Sequence, residues 1–572
     1  MFKFGCMNTC WFRGLITGRY SLFLFSLVLF QYGFAQTSSG NGMVVTDHHI
    51  ASRIGLDILK KGGNAIDASI ASAFALAVVH PQAGNIGGGG FLVLMTSEAK
   101  VTTIDFREKA PLAPNPHMFL DSLGHVIKGS NHKGLLSVGV PGTVAGLFLA
   151  HEKYGQLPWN QLVQPAIDIA DSGFVLSATL SQHAKDLSIG GSSAFIRTFF
   201  TNEKGALVGE GEIWKQPELA YVLSLIRDKG KDGFYKGEVA EGIESYMAKN
   251  GGLINRADLD QYQAIERLPV HGTFKGYDIY SMGPPSSGGV VLIEMLNMME
   301  ALDSLPVVNS VEYLHILAEV MRRGYADRAE FLGDPDFNPN MPTDVLLSKS
   351  HAAKRLKSIN MSKASISDSA TFGQLYDGNH TTHFSVIDKK GNAVSLTYTL
   401  EQSYGSQMGS SKLGFIFNNE MGDFNPQKGL TSSVGYIGTE PNLIEPGKRM
   451  LSSMSPTIVA KDGKPYLIIG SPGGRTIINT VFQTVMNVLE HEMEIDSAIE
   501  TAKIHHSWLP DQLLYEEELI PIEFAKDLEA MGHSTIPRKN LGRLMGIRID
   551  SLNDRYIGAC DSSSPDGSAE GY

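Results

Sequence analysis

Alternating hydrophobic and polar positions first identify a pair of strands in the second half of the chain. Phe384 and Val386 alternate with polar residues, and a polar turn over 389–392 separates them from a second alternating run over 393–399. Two such runs joined by a short turn predict a β-hairpin. The hairpin opens on Thr381 and Thr382, after a serine-rich stretch over 355–380 that predicts an exposed tail or loop. A threonine at this position is usually only a good strand former.

Other segments carry helical or strand periodicity, and glycine and asparagine residues mark their ends. Gly62 follows the first helix as a C-cap, and Asn64 caps the second. Antiparallel hairpins with long helices outside them predict a layered α+β fold. The predicted helices cover 51–61, 64–79, 145–154, 159–172, 216–229, 290–302, 311–331 and 475–491, and the strands cover 43–45, 91–95, 103–106, 277–282, 457–460 and 465–470.

Several segments resemble ligand motifs but lack an essential feature of them. The glycines over 84–90 precede a strand and follow a helix, which is the wrong order for a dinucleotide fingerprint. They are better explained by close approach of another backbone or a small ligand. The stretch 334–340 has Val345 where a calcium loop needs glutamate, so it predicts a capped turn. The histidine pairs at 48–49 and 505–506 lack metal-site spacing. No metal or cofactor is expected.

Composition describes a globular protein and excludes some partners. Of its residues, 42% are hydrophobic and 19% are charged, as in ordinary globular proteins. Its length of 572 residues exceeds the usual size of one hydrophobic core. Its formal net charge of -12, without a long basic run, argues against a nucleic-acid partner.

The first 35 residues predict export. Lys3, Arg13 and Arg19 precede an apolar run over 22–30, and Gly33-Phe34-Ala35 offers a cleavage site. This pattern is typical of a secretory signal peptide, with a membrane anchor as the alternative. Removal of the signal leaves one cysteine, so no disulfide forms within the mature chain. A periplasmic or secreted bacterial protein without a stable membrane anchor fits this pattern.

Two groups of residues suggest acyl-transfer chemistry on an amino-acid substrate. Gly473 and Gly474 lie between a predicted strand and a helix N-terminus, where unpaired backbone N–H groups could form an oxyanion hole or simply a tight turn. One arginine with several acidic and hydroxyl groups suits a zwitterionic head group. These residues are Arg107, Glu401, Glu420, Asp423, Ser452 and Ser453.

From about His49 to Tyr572 the chain resembles the γ-glutamyltranspeptidases, which are N-terminal-nucleophile hydrolases. The resemblance rests on several long motifs in the same order. They cover 55–68, 84–91, 105–111, 381–386, 451–457 and 470–474.

The resemblance implies a four-layer αββα sandwich and a precursor that cuts itself between His380 and Thr381. Residues 36–380 then form a large subunit and 381–572 a small subunit, which remain together as a heterodimer. Thr381 becomes the nucleophile, because a free α-amine with a pKa near 8 can take the hydroxyl proton. Thr399 is expected to orient Thr381, and Gly473 with Gly474 to form the oxyanion hole.

The same resemblance implies roles for the polar residues of the pocket. Arg107 with Ser452 and Ser453 would hold the substrate α-carboxylate, and Glu420 with Asp423 the α-ammonium. Many members of the family carry Asn where this chain has Glu401, whereas others carry Glu. The loop over 426–447 is long enough to be the lid of some members, although Tyr436 does not match the usual lid position.

The expected reaction is cleavage of the γ-glutamyl amide of glutathione or related compounds, with transfer to water, amino acids or peptides. One alternative is a β-lactam side-chain (glutaryl-cephalosporin) acylase of the same fold. The other is an uncleaved protein that only binds γ-glutamyl ligands.

Overall fold

The computed structural model describes residues 36–367, 381–430, 432 and 437–572. The predicted signal peptide, His380 and Tyr436 lie outside these residues. Within them, the strands form two large antiparallel sheets and two small ones. In chain order the strands are β1 (Thr37–Ser39), β2 (Met43–Thr46), β3 (Gly89–Met95), β4 (Val101–Phe106), β5 (Phe174–Val175), β6 (Ile213–Trp214), β7 (Ile265–Arg267), β8 (Val270–Phe274), β9 (Tyr277–Ser281), β10 (Thr381–Ile387), β11 (Ala393–Thr399), β12 (Thr457–Lys461), β13 (Lys464–Gly470), β14 (Ile504–His506), β15 (Leu513–Glu516), β16 (Thr535–Arg538), β17 (Met545–Asp550), β18 (Arg555–Cys560) and β19 (Ser568–Gly571).

The helices lie outside the sheets. They are α1 (His49–Lys60), α2 (Ala65–Val79), α3 (Thr143–Tyr154), α4 (Trp159–Ser172), α5 (Ala178–Gly190), α6 (Ala194–Arg197), α7 (Pro217–Lys229), α8 (Asp232–Tyr235), α9 (Gly237–Asn250), α10 (Arg256–Gln261), α11 (Gly288–Glu300), α12 (Val311–Phe331), α13 (Thr343–Leu346), α14 (Lys349–Leu356), α15 (Thr476–Leu489), α16 (Ile495–Glu500) and α17 (Ile522–Ala530).

Strand alternation explains how the four layers stack. One sheet has the order β19-β2-β10-β11-β3-β4-β7 and the other β1-β18-β17-β13-β12-β9-β8. Met43 and Val45 of β2 face the second sheet, whereas Val44 between them faces the layer of α1 and α2. Ile458 of β12 meets the inner core, and Val459 packs toward α11, α12 and α15. Because side chains alternate with period two, each sheet buries both faces, and the predicted αββα sandwich is confirmed.

Capping residues explain why several helices match their sequence prediction. α2 begins at a capping box in which Asn64 and Asp67 each accept the other's backbone N–H. α4 and α12 have the predicted bounds, and Ser310 caps α12 through the amide of Tyr313. The stretch 334–340 is a capped turn, as expected, in which Asp334 accepts the amide of Asp336.

The first part of the stretch predicted as an exposed tail or loop, 355–380, is mostly exposed and irregular after α14, but it is tethered to the core at several points. After α14, residues up to Ser367 are held against the core by buried arginines of α12. Arg323 donates to Ser358 Oγ at 2.8 Å, and Arg322 donates to Ser367 Oγ. Asp511 accepts the amide of Ser367 at 2.9 Å. The partners are remote in sequence, so the serine-rich composition gave no sign of them. The rest of the tail, 368–380, lies outside the described residues.

Strands from both sides of Thr381 share the same sheets. β2 and β3, from the N-terminal part, flank the β10–β11 hairpin, and β9 pairs with β12. A cut before Thr381 would therefore leave two fragments held by strand pairing and common cores. Among the described residues, no helix is long and apolar enough to span a membrane.

Candidate active site

Thr381 is the first residue of β10 and lies opposite Thr399 of β11. Both side chains are buried, and the Thr381 hydroxyl donates to Thr399 Oγ1 at 3.3 Å. Thr399 Oγ1 also accepts the backbone N–H of Glu401 at 2.8 Å. The partner strand thus fixes the position of the Thr381 hydroxyl at one end of the central hairpin.

The next two residues point to other partners. Thr382 donates to the carboxylate of Asp47 at 2.9 Å, so its hydroxyl is already used in the core. His383 lies between the hydroxyls of Thr397 and Ser385, at 2.8 and 3.1 Å. Burial lowers the pKa of His383 to about 3, so this imidazole is neutral and is not a proton acceptor at neutral pH.

The glycine-rich stretch before β3 supports Thr399. Asn85 Nδ2 donates to the Thr399 carbonyl at 2.9 Å, and Asn85 Oδ1 accepts from the amide of Gly88 and the hydroxyl of Thr143. A Cβ on Gly88 would lie 2.0 Å from the Thr399 carbonyl oxygen. The sequence-based explanation, close approach of another backbone, is therefore confirmed.

Gly473 and Gly474 connect β13 to α15 with backbone angles that favour glycine. Their φ values are 137° and 57°. Within the part of the chain that the structure describes, neither amide donates a hydrogen bond. Gly474 lines the same cavity as Thr381, whereas Gly473 lines the cavity next to it. Two free amides beside a nucleophile can stabilise an oxyanion.

The polar residues singled out in the sequence converge on one cavity of about 40 Å³. Its lining includes Thr381, Thr399 and Gly474 together with Arg107, Glu401, Glu420, Asp423, Ser452 and Ser453. Arg107, which is only 1% exposed, bridges the carboxylates of Glu420 and Asp423, and Glu108 lies 3.5 Å from it. The cavity is much smaller than typical ligand sites of ~300–1,000 Å³, because these groups contact one another.

Burial and mutual repulsion control the charges around Arg107. Burial alone would lower the pKa of Arg107. The attraction of the Glu420 and Asp423 carboxylates outweighs burial, so the pKa of Arg107 is raised. Burial raises the pKa of Glu108 to about 7 and that of Glu420 well above its usual value. Neither carboxyl oxygen of Glu108 has a hydrogen-bond partner among the described residues. An ammonium group beside Glu108 and Glu420 would favour their charged forms.

The two serines of the cavity are oriented to donate hydrogen bonds. Ser452 Oγ accepts the amide of Met454, and Ser453 Oγ accepts from Arg328 Nη2, both at 3.1 Å. Neither hydroxyl donates to another described residue, so each can donate to an outside acceptor such as a carboxylate. Arg328 also donates to Ser287 and has no carboxylate partner among the described residues. It places a second buried positive charge behind Ser453.

Glu401 takes part in a buried pair that the sequence did not indicate. His132 Nδ1 lies 3.2 Å from Glu401 Oε2. Burial raises the pKa of Glu401, and the attraction to Glu401 raises the pKa of His132 despite its burial. A Cβ on Gly422 would lie 2.2 Å from His132 Nδ1, so glycine there makes room for the imidazole. His132 thus fixes the Glu401 carboxylate at the cavity.

Sequence reasoning found most of the site and missed three of its residues. Arg328 and His132 have no motif around them that signals a site, and only tertiary packing brings them in. Arg475 directly follows the motif over 470–474 and could have been found from that position. The histidine pairs are used in ordinary contacts, such as the His48 cap of α1. Within the described residues, the converging metal-type ligands are Glu294, Asp327 and His351, where Arg355 already pairs with Asp327. The expectation of no required metal stays a prediction.

The candidate lid loop, 426–447, is hydrogen-bonded to Asp423, which lines the cavity at Thr381, and to Leu451. Asn442 donates to the Asp423 carbonyl at 2.7 Å and accepts the amide of Leu451 at 2.9 Å. Any movement of this loop would therefore act on the residues beside Arg107. Whether the loop is a lid stays a prediction, and Tyr436 lies outside the described residues.

Comparisons with known proteins agree with this geometry. A family model described as gamma-glutamyltranspeptidase matches residues 51–571. The chain is 42% identical to the glutathione hydrolase proenzyme of Pseudomonas sp. (strain A14), over 94% of this chain and 95% of that protein. The structure of Helicobacter pylori gamma-glutamyltranspeptidase is 43% identical, with a TM-score of 0.54, over 56% of this chain and 91% of that chain. A cephalosporin acylase from Bacillus halodurans shares the fold, with a TM-score of 0.80 at 24% identity over 94% of this chain and 97% of that one.

Proposed function

The chain belongs to the gamma-glutamyltranspeptidase family, and we propose that it is a self-processing enzyme that cleaves γ-glutamyl amides such as glutathione. The observation that carries this proposal is the position of Thr381. It begins a strand, is oriented by Thr399, and shares a cavity with an amide of the strand–helix turn and with a zwitterion-binding set of side chains.

Cleavage between His380 and Thr381 creates the catalytic base. The new α-amine, with a pKa near 8, takes the Thr381 hydroxyl proton as Oγ1 attacks the γ-carbonyl carbon. The amides of Gly473 and Gly474 stabilise the oxyanion, each contributing roughly 10²–10³ in rate. The leaving amine takes the proton, and a γ-glutamyl ester remains on Thr381. Water or an amine then attacks this ester and regenerates the hydroxyl.

Charge and hydrogen bonding select the γ-glutamyl group. Arg107, with the free hydroxyl protons of Ser452 and Ser453, is suited to the α-carboxylate. Glu420 and Asp423 are suited to the α-ammonium. Because both acids now contact Arg107, substrate binding replaces ion pairs within the protein by ion pairs with the substrate. An ordinary α-peptide lacks one of the two charged ends, so it would leave a buried charge unpaired.

Processing and export complete the proposal. Residues 36–380 and 381–572 become two subunits, which the shared sheets keep together as a heterodimer. The first 35 residues direct the chain out of the cytoplasm, to the periplasm or the exterior of a bacterial cell. Acceptors of the γ-glutamyl group are water, amino acids and peptides.

The acylase alternative has support in the shared fold, and substrate choice separates the two. Three carboxylates and three arginines in the donor cavity suit an amino-acid head group, whereas a glutaryl group lacks the ammonium. We expect turnover of a γ-glutamyl anilide and none of a glutaryl-cephalosporin. The reverse preference would establish the acylase.

The other alternative, an uncleaved protein that only binds γ-glutamyl ligands, is tested with the variant Thr381→Ala. The purified wild type should give two bands, with an N-terminus that begins at Thr381. Thr381→Ala should remain a single chain without turnover. A wild type that stays intact, or a Thr381→Ala variant that still splits after His380, would contradict the proposed function.

A further inference from the structure

Three side chains with metal-binding atoms converge between three helices, apart from the cavity at Thr381. They are Glu294 of α11, Asp327 of α12 and His351 of α14, and one ligand atom of each lies within 4.8 Å of the others. None of the three lines the cavity at Thr381. Glu294 and Asp327 are buried, whereas His351 is partly exposed, so an ion could reach them from solvent. Because they come from different helices, no spacing motif marks them in the sequence.

The Glu294 carboxylate is fully buried and is not held by a hydrogen bond. Neither of its oxygens has a hydrogen-bond partner among the described residues. Its Oε1 faces His351 Nε2 at 3.7 Å, which is too long for a hydrogen bond. One turn later on the same face of α11, Asn297 Oδ1 is also buried without a partner among those residues. Since buried carboxylates are normally hydrogen-bonded, paired or bound to a metal, Glu294 points to a missing cation.

Asp327 and His351 share a hydrogen bond that an ion could replace. His351 Nε2 lies 2.7 Å from Asp327 Oδ2. Arg355 pairs with the other oxygen, Asp327 Oδ1, and leaves Oδ2 available. A neutral imidazole with its proton on Nδ1 binds a metal through Nε2. The two carboxylates outnumber the one guanidinium, so the charge of the cluster also favours a cation.

The spacing of the three ligand atoms suits a small divalent ion. With metal–ligand bonds of about 2.0–2.2 Å, tetrahedral ligand atoms lie about 3.3–3.6 Å apart. His351 Nε2 lies 2.7 Å from the Asp327 oxygen and 3.7 Å from the Glu294 oxygen, on either side of that range. The Glu294 carboxylate can move toward the ion because no hydrogen bond restrains it. One imidazole and two carboxylates suit Zn²⁺, whereas Mg²⁺ and Ca²⁺ prefer oxygen ligands throughout.

We propose that Glu294, Asp327 and His351 bind a divalent transition-metal ion, Zn²⁺, with water as the fourth ligand. When the ion binds, the ring proton of His351 is carried on Nδ1 and Nε2 becomes a ligand. The ion joins α11, α12 and α14, all of which precede Thr381 in the chain. It is a structural ion that fastens α14 to the two longer helices, and it takes no part in the reaction at Thr381.

The test measures Zn²⁺ binding by the processed wild type after a chelator has removed bound metals. Equilibrium dialysis with metal analysis should give one Zn²⁺ per enzyme, and Zn²⁺ should raise Tm where Mg²⁺ at the same concentration does not. Glu294→Gln and His351→Gln should each raise the Kd for Zn²⁺ by more than about tenfold, since even changes behind the ligands cost 10–100-fold. Asp327 is left unchanged because it also holds Arg355.

His271→Gln is the matched control. His271 Nε2 lies 2.8 Å from Asp278 Oδ1, so it forms the same kind of pair, but it belongs to no cluster of three ligands among the described residues. This variant should bind Zn²⁺ like the wild type. If both cluster variants fail to fold, a wild-type crystal soaked in Zn²⁺ should show an anomalous peak at the zinc edge between the three side chains. A wild type that binds no Zn²⁺, unchanged binding in both cluster variants, or a peak only at another place overturns the proposal.

Discussion

The cavities on the two sides of Gly473 and Gly474 differ in both size and charge. The cavity at Thr381 measures about 40 Å³, and Arg107 contacts two of the acids that line it. The cavity at Arg543 measures about 420 Å³ and has no acid in its lining, and the Arg543 guanidinium makes no hydrogen bond or ion pair with any other described residue. The two cavities beside the Gly473–Gly474 turn therefore differ in volume and in the charge of their lining residues.

The lining of the cavity at Thr381 gives a reason for strict selection under the proposed function. A γ-glutamyl donor would replace the buried ion pairs of Arg107, so a group that lacks one of its two charged ends would leave a charge unpaired at a cost of about 3–5 kcal/mol. The cavity at Arg543 has no acid in its lining and holds no such set of ion pairs.

The largest effect is expected from Arg107→Gln, in the cavity at Thr381. It leaves Glu420, Asp423 and Glu108 without their cation and should lower kcat/KM for a γ-glutamyl anilide by roughly 10²–10³. Arg107→Lys should restore only part of the lost kcat/KM, because an ammonium does not bridge two carboxylates as a guanidinium does. The variants are compared after processing and thermal unfolding confirm a folded enzyme. A kcat/KM within threefold of the wild type would contradict the role of Arg107.

Gly473→Ala tests the turn that both cavities share. A Cβ there would lie 2.4 Å from Thr476 Oγ1, and φ near 137° is unfavourable for alanine. The amide should turn away from the reacting carbonyl, which lowers kcat about 10²-fold while KM for the donor changes little. Single-turnover kinetics of ester formation measure the effect. A loss confined to KM would assign Gly473 to substrate binding instead of catalysis.

A smaller effect is expected from Ser453→Ala. The variant removes a hydroxyl that can donate to the α-carboxylate and deprives Arg328 of one acceptor. KM for the donor should rise about tenfold, and kcat should change less. Ser403→Ala, in the wall of the cavity at Arg543, is the matched comparison and should leave KM for the donor near the wild-type value. Equal effects of the two variants would remove the distinction between the cavities.

The last effect concerns stability and not activity, through Glu108 and its dependence on pH. Burial raises the pKa of Glu108 to about 7, so the folded protein holds a proton there that the unfolded chain has lost. Stability should therefore fall as pH rises from about 4.5 to 7, by roughly 1–3 kcal/mol. Glu108→Gln removes this contribution, whereas Glu517→Gln, at an exposed position, is the control. Urea unfolding at several pH values should show a flatter profile for Glu108→Gln only. Parallel profiles of Glu108→Gln and the wild type would contradict the account.

Local signals explain which parts of the fold the sequence could predict. α12 begins at its predicted residue because Ser310 caps it, and α4 lies between Pro158 and Gly173, which mark its two ends in the sequence. The β10–β11 hairpin and the two-sheet sandwich follow from period-two alternation. The exposed segment after α14 was expected, but its contacts with Arg322 and Asp511 were not, because these residues are distant in sequence.

Local sequence signals and distance in sequence also explain which residues of the site were predicted and which were missed. The motif residues, such as Arg107 and Ser453, converge as expected. Arg328 lies inside a long helix, where sequence gives no sign that its charge reaches a cavity. Arg543 has no signal in the sequence, because only the fold shows that its guanidinium makes no hydrogen bond or ion pair with the other described residues.

The intermediate of the proposed reaction is a γ-glutamyl ester on Thr381. The processed enzyme should be mixed with a γ-glutamyl anilide, quenched in acid within the first turnover and digested for mass spectrometry. We expect one added glutamyl group on the peptide that begins Thr381-Thr382-His383, and no adduct in Thr381→Ala. A glutamyl adduct on any other residue, or turnover by an enzyme that has no fragment beginning at Thr381, would contradict it.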